Sequence, residues 1–391
     1  MSSFKTMLDD AISSTKERSV YRIPAGIRVN TKKIRLLDFK LQRKDPAGQV
    51  QDYLFGLGGS VEIIRKVSVV SHNGVEIDRM EGYGTYFQGL KNAIAENSVQ
   101  YGVNSLINHN LDLSVLCPDF SEVKNGNPYT ADNKYWSMNN HFQTINISNL
   151  LQYLSVARSV SADGMEIVLE WNFSAMEADG SSYEFVGGYP KIAYDVYLDG
   201  TPVDVVPKSG FVYFTLATDS IPIRAGQVIE RVDKRLASYN KQYIASMYYL
   251  IKNGEDLALS PLPHLTDLHA AKLLTAAPTK ESFQLIIDGV QLFSKKAITK
   301  SAHKQSILND QFNEITCPSG SNCDLVARLE LITDGRLSVG VAPINRFVND
   351  ELVLQYENIK PHVKQSAFIT IAEVLRGYSP VSDMTYFVSP A

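Results

Sequence analysis

The sequence predicts an all-β protein made of two β-sandwiches, and three observations carry that prediction. Short runs of alternating apolar and polar residues recur along the chain, divided by Gly, Pro and Asn turns, while helical patterns are few. The 391 residues include 20 Tyr and 16 Phe against 2 Trp, and both abundant types suit a pleated, half-buried surface. One arrangement, strand, tight turn, strand and helix, occurs once in each half. The length suits two domains with separate cores. Two covered sheets per half give jelly-roll or immunoglobulin-like architecture.

Taken in order, residues 4–17 place Phe4, Met7, Leu8, Ala11 and Ile12 at helical spacing, so a short helix is expected there as an arm ahead of YRIPAG (21–26). Strands follow at 34–42 and 61–71. In the second of these, Val61, Ile63, Val67 and Val69 share one parity, and Ile64 and Arg65 interrupt it, which points to a bulge or to burial on both faces. His72-Asn73-Gly74 supplies a hairpin turn, and 75–80 returns as a strand with Glu76 and Asp78 on one polar face. Residues 83–97 read as an amphipathic helix and 121–137 as a long loop. Strands resume at 141–148, 165–173 and 191–199.

The second half echoes this order. ESFQLIIDGVQLFSKKAI (281–298) is strand, Asp-Gly turn and strand, with a helix expected at 301–312. The turn glycines Gly74 and Gly289 lie 215 residues apart, and the strands opening at Ile34 and Ile244 lie 210 apart. This near-constant offset suggests a duplicated β-domain. Further strands are expected at 325–332, 336–344, 351–359 and 366–378.

Composition removes several functional classes. Hydrophobic residues at 44% and charged residues at 20% describe a globular chain. A net charge of −4, with basic clusters no longer than Lys32-Lys33 and Lys295-Lys296, leaves no footprint for sequence-specific nucleic-acid binding. No apolar run approaches the ~20 residues of a membrane span, and the start lacks the apolar core of a signal peptide. Synthesis and folding in the cytosol are expected, with Cys117, Cys317 and Cys323 as free thiols and the sequons at Asn146 and Asn172 unused.

Chemistry-bearing patterns are sparse. His72, Glu76, Asp78 and Glu81 lie close in sequence, but strand parity reads them as a hairpin and its polar side. His264, Asp267 and His269 could face a metal, yet no HxxxH or HExxH spacing accompanies them. GLGGS (56–60) lacks the Lys-Ser/Thr of a phosphate loop and precedes a strand. Glu166 and Glu170 share strand parity and are the candidate carboxylate pair for a β-sandwich glycosidase, but outward acids on a solvated sheet face are much commoner and are the reading adopted. The sequence therefore assigns no catalytic, cofactor-binding or metal-ligating residue, no cofactor, and no enzymatic activity.

Residues 58–83 carry a family resemblance. Gly58, Gly59, Ile63, Ile64, Arg65, Asn73, Gly74, Glu76, Asp78 and Tyr83 follow a small-residue run, an "I-I-R" strand, an Asn-Gly turn, an "E-I-D" strand and an aromatic helix start. This segment resembles double jelly-roll major capsid proteins, those of polinton-like viruses and virophages above all. Residues 142–172, 231–253 and 282–298 are similar to later segments of the same family, and no match is found beyond about residue 335. The resemblance implies two consecutive jelly-roll β-sandwiches with short connecting helices and an N-terminal helical arm: arm 1–26, first roll 27–207, second roll 208–391. It implies a structural capsid role in the virion after synthesis in the host cytoplasm, with homotrimeric capsomers tiling an icosahedral shell. The implied partners are neighbouring capsomers, penton and minor capsid proteins, and an inner membrane near the arm. A carbohydrate-binding protein or glycosidase, and a minor capsid or vertex protein, are the alternatives.

Overall fold

The computed structural model describes residues 4–52, 63–82, 143–156, 164–177, 180–198, 210–253, 281–292, 296–298, 337–358 and 366–388. The chain forms two compact units. Among the described residues, unit 1 runs to Thr215 and includes Gly377–Tyr386, and unit 2 takes Leu216 to Arg376 and the residues from Phe387.

Unit 1 holds β1 (Phe4–Asp9), β2 (Ser13–Ser14), β3 (Arg18–Ile23), β4 (Val29–Phe39), β5 (Leu41–Lys44), β6 (Val50–Asp52), β7 (Ile64–Ser71), β8 (Glu76–Glu81), β9 (Gln143–Asn146), β10 (Met165–Trp171), β11 (Ser182–Phe185) and β12 (Lys191–Tyr197). Three short helices, α1 (Ile147–Leu150), α2 (Gln152–Val156) and α3 (Phe173–Met176), lie in its connections. One sheet has the order β1-β12-β4-β9 and another β2-β3-β10-β7-β8, with β11-β5-β6 as a small third sheet.

Unit 2 is built on β13 (Phe211–Ile223, its residues up to Thr215 falling in unit 1), β14 (Ile229–Arg235), β15 (Tyr243–Asn253), β16 (Glu281–Ile287), β17 (Val290–Gln291), β18 (Lys296–Ile298), β19 (Leu337–Phe347), β20 (Leu352–Asn358) and β21 (Ser366–Ser379, its residues from Gly377 falling in unit 1). A further strand, β22 (Met384–Phe387), pairs with β21. The sheets here run β13-β21-β15-β19 and β14-β20-β16-β17, and β18 also pairs β16.

Set side by side, the two orders are the same. Number the principal strands of each unit in chain order: β1, β3, β4, β7, β8, β9, β10 and β12 in unit 1, and β13, β14, β15, β16, β17 with β18, β19, β20 and β21 in unit 2. In both units one sheet is then first-eighth-third-sixth and the other second-seventh-fourth-fifth. Neighbours in space are distant in sequence, the interleaving of a jelly roll. The chain is therefore a double jelly roll. The repeated sequence pattern falls on equivalent strands: Gly74 and Gly289 both follow the fourth strand, and β4 and β15 are both third.

Each roll has a core between its sheets. In unit 2, β20 alternates strictly, with Leu352, Leu354 and Tyr356 turned inward beside Phe283, Leu285 and Ile287 of β16. Phe368 of β21 meets the Tyr356 ring at 5.0 Å and the Phe283 ring at 5.7 Å. Full burial of each such side chain contributes about 1.5–3 kcal/mol. In unit 1, Val67, Val69, Ile167 and Leu169 lie inside on one sheet, and Ile34, Leu36, Ile192 and Tyr194 on the other. At one end Trp171 stacks with Phe173, meets Phe185 edge-on and donates its indole N–H to Ser19 Oγ at 3.0 Å.

The N-terminal segment corrects the expected helical arm. Residues 4–9 are a strand, paired antiparallel with β12 from Phe4↔Tyr197 to Asp9↔Ile192, and β3 pairs with β10. The apolar spacing of this stretch fits a helix, but a short isolated helix is marginal in water, whereas the open edge of β12 offers a full ladder of backbone partners. Side chains reinforce that choice: Thr6 donates to Asp195 at 2.7 Å and Tyr194 donates to Asp9. The expected helices at 83–97 and 301–312, the loop 121–137, GLGGS, the strand 325–332, the three cysteines and the 264–269 histidines lie outside the described residues.

Candidate functional site

The hairpin of β7 and β8 was the strongest local signal, and its geometry decides what its acids can do. The turn is a three-residue loop. Gly74 N–H donates to Ser71 O at 3.0 Å and Ser71 N–H to Val75 O at 2.8 Å, and within this turn only Gly74 has positive φ, at +86°. The second unit's turn is different. Asp288 and Gly289 both have positive φ, +49° and +77°, between the paired residues Ile287 and Val290, so two residues suffice.

The single polar face expected for Glu76 and Asp78 is a second correction. The register shifts between Val69↔Asp78 and Val70↔Glu76, leaving Ile77 as an extra residue in β8. The bulge turns Asp78 to the inside, where it is 1% exposed. Its carboxylate accepts from Thr215 Oγ1 at 2.7 Å, from the Tyr153 amide at 3.0 Å and from the Arg79 amide at 2.9 Å. The Ile77 carbonyl accepts from the Tyr213 hydroxyl. Glu76 and Glu81 stay outside with Lys66 and Arg79: Lys66–Glu76 is 3.0 Å, Arg79–Glu76 3.5 Å and Arg79–Glu81 3.9 Å. The four residues that cluster in sequence are thus divided among a turn, a buried hydrogen-bond hub and a solvated ion-pair network.

Glu166 and Glu170 both lie on β10, each matched to a basic residue. Glu166 sits opposite Arg22 on β3 and pairs with it at 2.6 Å, and Glu170 pairs with Arg65 on β7. Four residues along one strand separate their backbones by roughly 13 Å, beyond the ~5–9.5 Å between the carboxyl groups of glycosidases. Among the described residues no group of three or more His, Cys, Asp or Glu is placed to hold a metal ion, and no helix is long and apolar enough to cross a membrane.

What the sequence reading missed is apolar surface on the terminal strands. Phe4, Leu8 and Ile12 at the start of the chain, Leu198 after β12, and Val381, Met384, Tyr386 and Phe387 around β22 are all exposed. The signal was visible in VSDMTYF, where apolar residues flank a polar turn, but its significance depends on knowing that β22 turns all four side chains outward. Such residues suit contacts with another protein surface.

No protein-family model matches the sequence, and a comparison with curated proteins finds no match. Solved structures do match. The chain is similar to the major capsid protein of mavirus at 10% identity, over 97% of this chain and 89% of that one, with a TM-score of 0.50. It is similar to a chain in the structure of the Sputnik virophage at 10% identity, over 100% and 89%, with a TM-score of 0.54. It is also similar to the Faustovirus major capsid protein at 7% identity, over 100% and 91%, with a TM-score of 0.50. At these identities the likeness is one of fold: the double jelly roll is shared along almost the whole of each chain.

Proposed function

We propose that this chain is a viral major capsid protein, a structural component of the virion with no catalytic role. The observation that carries the reading is the jelly-roll order repeated within one chain, together with near-full-length similarity to the mavirus and Faustovirus capsid proteins. Three copies of a double roll present six similar sandwiches around a threefold axis. That pseudo-hexagonal outline tiles a shell, and its closed symmetry prevents runaway fibres. The exposed apolar residues of β1 and β22 support self-association.

In this reading the first roll extends to residue 207 and the second begins at 208, with the strands at 4–23 joined to the first. Capsomers contact one another, penton and minor capsid proteins, and an inner membrane near the N-terminus, after synthesis in the host cytoplasm. Light scattering of the purified chain tests the central claim. A species of about three times 43.5 kDa is expected. A stable monomer at high concentration would remove the capsomer reading.

A further inference from the structure

Unit 1 takes in residues from the far end of the chain, Gly377–Tyr386. Tyr378 is 6% exposed and meets Tyr153 edge-on, centroids 5.7 Å apart with the planes at 84°. Tyr153 meets Tyr213 in the same manner at 5.7 Å and 77°. Within the turn before β22, Asp383 has φ +47°, a conformation disfavoured for a non-glycine residue, which its surroundings must hold. Its carboxylate accepts from the Tyr378 hydroxyl at 2.7 Å and from Ser71 Oγ at 2.8 Å. Ser71 ends β7, and its oxygen also accepts the Val75 amide at 3.2 Å. A chain of polar contacts therefore runs from the C-terminal turn into the 71–75 hairpin. Backbone packing is equally close: a Cβ on Gly210 would lie 2.7 Å from the Tyr378 carbonyl.

We propose that residues 377–386 are a strap that completes the first jelly roll, so that this roll reaches its final stability only once these residues are in place. Residues 1–215 leave the ribosome well before residue 377. Until then Tyr153 lacks the Tyr378 ring, and Ser71 lacks the Asp383 carboxylate. A chain interrupted or cleaved before residue 377 then carries a loosened first roll. Charge strengthens the strap. Burial opposes ionisation of Asp383, but donors on Tyr378, Asn73 and Ser71 and the nearby His72 hold its carboxyl below the usual range, and a hydrogen bond to an ionised acceptor is about twice as strong as a neutral one.

Hydrogen–deuterium exchange on the full-length chain tests this. In Asp383→Ala, amides in 71–75 and 152–156 are expected to exchange about tenfold faster, with about threefold for Tyr378→Phe, while 281–287 and 352–358 keep their rates. Unchanged exchange at 71–75 in both variants overturns the strap, as does equal loosening of 281–287. Should Asp383→Ala fail to fold, Tyr378→Phe and Ser71→Ala each remove a single hydroxyl and decide the matter by the same readout.

Discussion

Asp78 gathers three hydrogen bonds onto one buried carboxylate, and its removal strands donors that have no water to turn to. An unsatisfied buried donor costs about 1–3 kcal/mol, so Asp78→Ala is expected to destabilise the first roll by about 3 kcal/mol in urea denaturation, and Asp78→Asn by less. Glu166→Gln and Glu170→Gln make the contrast. Each breaks a solvated ion pair, worth under about 1 kcal/mol, so both variants should melt within a degree or two of the parent. Asp288 gives a pH dependence of known sign. Burial raises its pKa, but backbone donors on Asp350, Asn349 and Glu351, at 2.8, 2.9 and 3.1 Å, outweigh that and hold it below the ordinary value. Its contribution is thus complete above pH ~4, the unfolded carboxyl value, and fades as pH falls through the lower folded value. Thermal melts of the second roll below pH 4 should show this loss, and Asp288→Asn should flatten it.

Among elements, the terminal strands make the sharpest tests. If β1 is the first strand of a sheet, deleting residues 1–9 exposes the β12 edge, and the first roll should melt several degrees lower; a detached arm would leave the melt unchanged. On β21, Gly377 lies beneath a neighbouring ring. A Cβ there would run into the far end of the exposed Tyr386 side chain, so Gly377→Ala should swing that ring aside and destabilise the chain by under about 1 kcal/mol. Adding Tyr386→Ala should restore part of the loss, which a double-mutant cycle measures as coupling between the two sites. The two hairpin turns were legible as turns because Asn-Gly and Asp-Gly tolerate positive φ. Their types were not, because whether two residues or three close the loop depends on the register of the strands beyond.

For the whole molecule, the sequence determined that the chain is all-β, that its pattern occurs twice, and that its hairpins fall at equivalent places in each half. Those properties are written in local alternation and in turn residues, which act over a few positions. Tertiary structure alone decided three things. The start of the chain became a strand because its partner, β12, lies more than 180 residues onward and no local period can reveal it. Asp78 turned inward because a bulge at Ile77 is fixed by cross-strand register with β7. Residues 377–386 joined the first unit because Tyr378 and Asp383 find their partners at Tyr153 and Ser71. Each outcome depends on which backbone donors and buried polar groups meet across long sequence separations, and only the folded chain brings those groups together.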